Sequence, residues 1–98
     1  MKVYLKIHIR DEYETIACCD EELLNQVFIE GNLKIEISNR FFGGKLIRIE
    51  DAIDVLKQAP FFNIVGEKII EKAIDCKLLT REGVRFVNDV PIAIKMMI

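Results

Sequence analysis

The strict alternation of apolar and polar side chains in MKVYLKIHIR, the first ten residues, constrains the fold most strongly. One side of the chain carries Val3, Leu5, Ile7 and Ile9. The other side carries Tyr4, Lys6, His8 and Arg10. A period of two over eight residues is typical of a strand with one buried face. The sequence therefore predicts that the chain begins with a half-buried strand whose second face carries cations and an aromatic ring.

The remaining patterns predict a single domain, residues 1–98, of the α+β class. Alternating segments that flank turn residues predict strands on both sides of 11–14, of Gly31-Asn32 and of Asn88-Asp89. Helical spacing of apolar residues predicts one helix that Pro60 ends and a second that Asn63 caps. The economical packing is a two-layer sandwich, in which two main helices cover one face of a mostly antiparallel sheet.

Composition narrows the class of protein. The chain is 51% apolar and 31% charged, which is typical of a compact globular domain. Its net charge of −2 gives no overall basic field, so nucleic-acid binding would need a local patch. Three cysteines, including the neighbours Cys18 and Cys19, do not form a disulfide framework and favour a reducing compartment. No apolar run approaches the roughly 20 residues of a membrane span. We therefore predict a cytoplasmic protein without a membrane partner.

Catalytic and metal-binding patterns are hard to find. The chain has one histidine, His8, and one serine, Ser38, and nothing beside Ser38 supplies a base. No Cys-x-x-Cys pair occurs, and a lone histidine cannot complete a tetrahedral metal site. The sequence predicts no catalytic residues, no metal site and no cofactor, and it favours a protein that is not an enzyme.

Positive charge gathers on the outward face of the first strand and in the segment NRFFGGKLIR. The candidate nucleic-acid-binding residues are Lys6, His8, Arg10, Arg40, Lys45 and Arg48. A basic sheet face that carries an aromatic ring is one way in which folds bind RNA. The alternative is an ordinary solvated sheet face. The interpretation depends on whether the strand face and the 40–48 loop are adjacent.

The centre of that segment predicts a packing motif, formed by Phe41, Phe42, Gly43 and Gly44. The two glycines permit a sharp turn or a close approach to another surface. Four of the six phenylalanines lie in FF pairs, one here and one in PFFNIVG, so we expect an aromatic cluster that joins the two loops.

A second candidate site is an anion or ligand pocket at Asn63, Gly66 and Glu67. Glycine in the first turn of a helix costs about 1 kcal/mol relative to alanine. Close packing of a neighbouring segment would explain the glycine, and so would a ligand at the helix N-terminus. The second explanation corresponds to a small enzyme that acts on an anionic substrate.

The C-terminal segment IAIKMMI predicts an apolar strand with Met96 and Met97 on opposite faces. If this strand lies at a sheet edge, it invites pairing with another chain. A homodimer or a protein-interaction module is therefore the alternative to RNA binding.

Four motifs in succession, CDEELL, IEGN, RFFGG and NIVGEK, resemble a family of small archaeal proteins known as domain of unknown function 424. The resemblance covers essentially the whole chain. It implies an archaeal source, a two-layer domain of helices and strands, and a loose association with RNA or translation. The family has no established activity, so no catalytic residue is carried over. Its second aromatic before the glycines is often tyrosine, whereas this chain has Phe42.

The leading hypothesis is therefore a non-enzymatic module that binds RNA or a ribonucleoprotein through the basic strand face and the 40–48 loop.

Overall fold

A six-stranded sheet forms the centre of the fold in the computed structural model, which describes residues 1–96. The strands of the chain are β1 (Lys2–Arg10), β2 (Tyr13–Asp20), β3 (Val27–Glu30), β4 (Leu33–Glu36), β5 (Lys45–Arg48), β6 (Phe61–Val65), β7 (Arg85–Val87) and β8 (Val90–Lys95). The large sheet has the order β5-β1-β2-β6-β8-β7, and β3 and β4 form a separate hairpin. Only the pairing of β2 with β6 is parallel within this part of the chain.

Two amphipathic helices cover one face of this sheet. They are α2 (Ile49–Gln58) and α3 (Glu67–Asp75), and their apolar stripes form the main core with inward residues of β1, β2 and β6. Pro60 follows α2 and prevents its continuation, as the sequence predicts. The predicted class is confirmed: an α+β domain with a mostly antiparallel sheet and two main helices on one face.

The second face of the sheet is also partly covered, by a smaller core. The single helical turn α1 (Asn39–Phe42) and the β3–β4 hairpin pack there against Cys19 and Val65. Neighbouring residues of a strand face opposite sides. Cys18 therefore lies in the helix-side core and Cys19 in the smaller core, and both thiols are inaccessible to solvent. Both cysteines are buried because both faces of the sheet are covered at this point.

The segment FFNIV forms strand β6, which corrects the predicted start of the second helix. Asn63 lies in the middle of this strand and does not cap a helix. Phe62 and Ile64 face the helices, and Val65 faces the smaller core, so burial on both sides favours a strand. The helix α3 begins after Gly66, whose φ of +125° is a conformation that favours glycine.

The N-terminus of α3 is capped by a carboxylate from another strand. Asp20, the last residue of β2, accepts hydrogen bonds from the backbone amides of Lys68 at 2.8 Å and Ile69 at 2.9 Å. Burial raises the pKa of the Asp20 carboxyl, and these two hydrogen bonds lower it in part. A Cβ on Gly66 would lie 2.3 Å from the Asp20 carboxyl carbon, so close packing explains this glycine.

The C-terminal strand β8 is a sheet edge over only part of its length. It pairs with β7 over Val90–Ile92 and with β6 over Ile92–Lys95. Its residues 93–95 pair only with β6 among the described strands, and this half resembles the predicted edge. Ile94 and Met96 are exposed there. Met97, predicted to face the opposite way from Met96, lies outside the described residues.

The Asp20 cap gives the first prediction. The variant Asp20→Ala leaves two helix amides without their acceptor, and we expect a loss of about 2–4 kcal/mol in the free energy of unfolding. Urea denaturation followed by circular dichroism measures it. The matched control is Asp54→Ala, because Asp54 is exposed on α2 and should change stability by less than about 0.5 kcal/mol. An equal loss in the free energy of unfolding for both substitutions would contradict the assignment of Asp20 as the cap of α3.

The cysteines give a second prediction. Burial raises the pKa of Cys18 and raises the pKa of Cys19 to about 12, with the nearby Asp20 carboxylate adding to the effect on Cys19. Cys76 is only half-buried. We expect a chromogenic disulfide reagent at pH 8 to modify one thiol per folded chain and three per chain in denaturant. Cys76→Ser should then show no rapid reaction, and rapid labelling of that variant would count against the double-sided burial.

Candidate functional site

The β3–β4 hairpin and α1 leave one end of the second sheet face uncovered. We call this surface the open face. It consists of His8, Arg10, Tyr13, Thr15, Phe61 and Asn63. The strand register brings these residues together: Arg10 lies opposite Tyr13, and Thr15 lies between His8 and Phe61. Three neighbouring strands, β1, β2 and β6, therefore build the surface, which makes it rigid.

Aromatic rings occupy much of the open face and its border. Tyr13 is 59% exposed and packs edge-on against Phe61, with 5.7 Å between the ring centroids. The imidazole of His8 stacks on the ring of Phe41 at 4.6 Å, with an angle of 17° between the planes. Rings held in fixed positions beside solvent offer flat apolar surface at little cost in conformational entropy.

A hydrogen bond fixes the orientation of His8. Its Nε2 lies 2.8 Å from the carbonyl oxygen of Phe41. Because a carbonyl oxygen can only accept, the proton lies on Nε2, and this nitrogen donates. The helical turn that supplies the carbonyl is itself capped, since the hydroxyl of Ser38 accepts from the amide of Phe41 at 3.1 Å. The lone histidine and the lone serine of the chain thus both support the local geometry of α1.

Four of the six predicted cations share one surface. Lys6, His8 and Arg10 point from β1 to the side of the open face, and Arg40 lies beside them on α1. The Lys6 ammonium donates to the backbone carbonyl of Arg40 at 2.6 Å. The structure therefore brings the basic strand face next to the beginning of the 40–48 segment.

The other two predicted cations lie elsewhere. Lys45 lies opposite Leu5 in the register of β5 with β1, so its Cβ is on the helix-covered side of the sheet. Arg48 lies at the far end of β5 and forms an ion pair with Asp51 at 3.4 Å. Neither residue extends the open face.

The FFGG motif acts as the predicted packing turn. Phe42 is buried in the smaller core, and Phe41 is half-buried against it, with 5.0 Å between the ring centroids. Gly44 lies directly on β1, because a Cβ there would be 2.1 Å from the carbonyl oxygen of Leu5. Gly43 donates to the carbonyl of Asn39 at 2.8 Å and ends the turn.

The expected cluster of the two phenylalanine pairs does not form. Phe62 faces the helices and belongs to the main core, whereas Phe42 belongs to the smaller core on the other side of the sheet. Phe61 contacts Tyr13 instead. The expectation failed because PFFN is a strand, which sends neighbouring rings to opposite faces.

The predicted anion pocket at Asn63, Gly66 and Glu67 is not formed by these three residues. Asn63 lies on the open face, whereas Glu67 is exposed on the helix side, beside a shallow depression of about 510 Å³. The carboxylate of Asp20 already occupies two amides of the helix N-terminus. The helix N-terminus that the sequence suggested as an anion site is therefore occupied by the side chain of Asp20.

Next to the open face lies a groove that sequence patterns did not indicate. It has a volume of about 360 Å³ and runs between β4 and α1. Asn63 and Ile94 are on its floor, and Phe41 forms part of one wall. No local pattern links residues 34–37, 41–42, 63–65 and 92–94, because the groove exists only once the hairpin packs on the sheet.

Two aromatic residues of the open face were also missed, Tyr13 and Phe61. The sequence placed Tyr13 in a polar turn, but the turn is Asp11-Glu12 and Tyr13 begins β2. Pairing Arg10 with Tyr13 across a two-residue turn would have placed the ring beside the cations.

Within residues 1–96, no cluster of three or more histidine, cysteine or acidic side chains is arranged to hold a metal ion. In the same part of the chain, no helix has the length and apolar character needed to cross a membrane.

The fold is also found in a solved structure. The crystal structure of an uncharacterized conserved protein from Methanopyrus kandleri superposes with a TM-score of 0.83, at 23% identity, covering 96% of this chain and 90% of that chain. At this identity the likeness shows the fold alone. A comparison with curated proteins gave no significant match. A family model described as "Protein of unknown function (DUF424)" matches residues 7–98, nearly the whole chain, and this protein therefore belongs to that family.

Proposed function

We propose that this protein is a non-enzymatic module that binds single-stranded RNA on the open face. The observation that carries the proposal is a group of four rings on one end of the sheet face, Tyr13 exposed and the others half-buried, with cations beside them. Tyr13, Phe61 and the stacked His8–Phe41 pair supply the rings. Lys6, Arg10 and Arg40 supply positive charge at the border.

The chemistry of single-stranded RNA fits such a surface. Every base has two flat faces, and stacking one base on an aromatic side chain contributes about 1–3 kcal/mol. Cations beside the rings neutralise phosphates and release counterions. Sheet faces with two or three aromatic side chains bind RNA in this way in other folds.

The contacts of the potential catalytic side chains support binding over catalysis. The Nε2 of His8 is engaged by a backbone carbonyl, and the hydroxyl of Ser38 is engaged by a backbone amide. Both buried cysteines are held in the thiol form, since burial raises the pKa of each. A nucleophile needs a base within hydrogen-bonding distance, and among the described residues no hydrogen bond joins the hydroxyl of Ser38 or a cysteine thiol to the imidazole of His8.

The salt dependence of binding gives the third prediction. With about three phosphates neutralised, the slope of log K against log salt should be about −2 for a single strand. Fluorescence anisotropy with a labelled ten-nucleotide RNA, at 50 and 200 mM salt, measures the slope. We expect affinity to fall by about fifteenfold over this range. Binding that is absent at 50 mM salt would contradict the proposal.

Substitution of the exposed ring tests the role of the open face. Tyr13→Ala should weaken RNA binding by about fivefold or more, because it removes a stacking surface. Tyr13→Phe keeps the ring and should bind as the wild type does. The matched control is Phe86→Ala, since Phe86 is also 59% exposed but lies on β7, at the other edge of the sheet. Equal losses for Tyr13→Ala and Phe86→Ala would place binding elsewhere.

Self-association is a second candidate function, and the open side of β8 favours it. The carbonyl of Pro91 accepts from Gly66, on the β6 side. Because backbone groups alternate along a strand, the amide and carbonyl of Ile94 point to the other side, where no described strand pairs with them. A second copy that adds a strand there would also cover the side chain of Ile94, which is 61% exposed.

Light scattering at rising protein concentration tests self-association. We expect a monomer–dimer equilibrium for the wild type and a shift toward monomer for Ile94→Lys, which places a charge at the pairing edge. A wild type that stays monomeric at the highest concentration would rule out this candidate and leave RNA binding untouched.

A further inference from the structure

The groove between β4 and α1 lies next to the open face and shares Asn63 with it. Its volume is about 360 Å³. Its lining residues are Lys34, Ile35, Glu36, Ile37, Phe41, Phe42, Asn63, Val65, Ile92 and Ile94. Most of these side chains are apolar, and Asn63 is the one neutral polar side chain among them. A mostly apolar cleft with a few placed polar groups is the usual form of a small-ligand site.

We propose that this groove binds one adenine base of the RNA strand that lies on the open face. The proposal rests on the proposed function, because the groove is argued to read a base of a strand held there. It adds to that function a position at which the protein distinguishes one base from the others.

The side chain of Asn63 is placed to make this distinction. Its register opposite Ala17 and Ile94 puts it on the open-face side of β6, where it is half-buried on the groove floor. A primary amide presents a donor and an acceptor side by side. This pair matches the N6 amino group and N7 of adenine, and such a bidentate contact is worth about 1–3 kcal/mol of discrimination.

The surrounding residues suit a flat heterocycle. The side chains of Phe41 and Ile94 both line the groove and offer apolar surface to a base. Two charged side chains, Lys34 and Glu36, lie on β4 at the rim. The Lys34 ammonium can meet the phosphate of the inserted nucleotide, while Glu36 disfavours a second phosphate beside it.

The groove and the open face form one continuous path. Phe41 lines the groove and also stacks on His8. Phe61 precedes Asn63 by two residues on β6, so both side chains project from the same side of the sheet. A strand whose bases stack on Tyr13 and Phe61 can therefore deliver its next base to Asn63.

The test uses hexanucleotides UUUXUU, in which X is adenine, guanine, cytosine or uracil, measured by competition anisotropy with the full chain. We expect wild-type protein to bind X = A about fivefold or more tightly than X = U or G. Asn63→Asp presents acceptors only, which suit the N1–H and N2–H donors of guanine. This variant should therefore shift the preference from adenine toward guanine, an effect that a purely structural role of Asn63 would not produce.

A second variant, Asn63→Ala, keeps the test possible if Asn63→Asp does not fold. It should bind the four hexanucleotides with similar affinities, because the amide that distinguishes the bases is removed while the rings of the open face remain. If wild type and Asn63→Asp rank the four bases in the same order, the groove does not read adenine, although RNA binding on the open face stands. If wild-type protein binds none of the hexanucleotides, the proposed function fails as well.

Discussion

The fold depends on the strand β2, which is buried on both faces and ends in a carboxylate. Its residues 16–20 are all buried, between the two helices on one side and the smaller core on the other. Asp20 then caps α3 through two amide hydrogen bonds. The same carboxylate requires glycine at position 66, because a Cβ would collide with it. One buried acid thus fixes where β2 ends, where α3 begins and how the helix layer meets the sheet.

Burial of β2 on both faces also decides where a binding surface can exist. The smaller core covers Cys19 and Val65, but it ends before Thr15 and Phe61. The strands continue beyond the smaller core. There their side chains face solvent at positions that the strand register fixes. Sites built on strands hold side chains more precisely than sites on loops. The open face is therefore the uncovered end of the same three strands whose other end is covered by the smaller core.

Much of the fold followed from periodicity, since it is a local property of the chain. The helical stripe of α2 predicts its own burial, and this is confirmed. The alternation in β1 predicts a buried face that is confirmed at Val3 and Leu5, whereas Ile7 and Ile9 lie beyond the helices and are exposed. The segment FFNIV failed because a strand buried on both faces lacks alternation and resembles the start of the following helix. The cap on α3 could not be predicted for another reason: Asp20 precedes Lys68 by 48 residues, and only the parallel pairing of β2 with β6 brings them together. The groove at Asn63 was missed for the same reason, as four separate segments form it.

At the candidate site, two of the predicted binding residues also form hydrogen bonds that stabilise the fold. Lys6 and His8 were predicted as binding residues from their face of β1, and the structure uses a polar atom of each to hold α1 in place. These bonds fix the ring of His8 against Phe41 and hold the charge of Lys6 near the surface. Stacking and electrostatic attraction require only fixed rings and fixed charges. A surface whose polar atoms are engaged in its own architecture can therefore still offer stacking and electrostatic attraction, which are the two interactions that the proposed binding of a strand of bases requires.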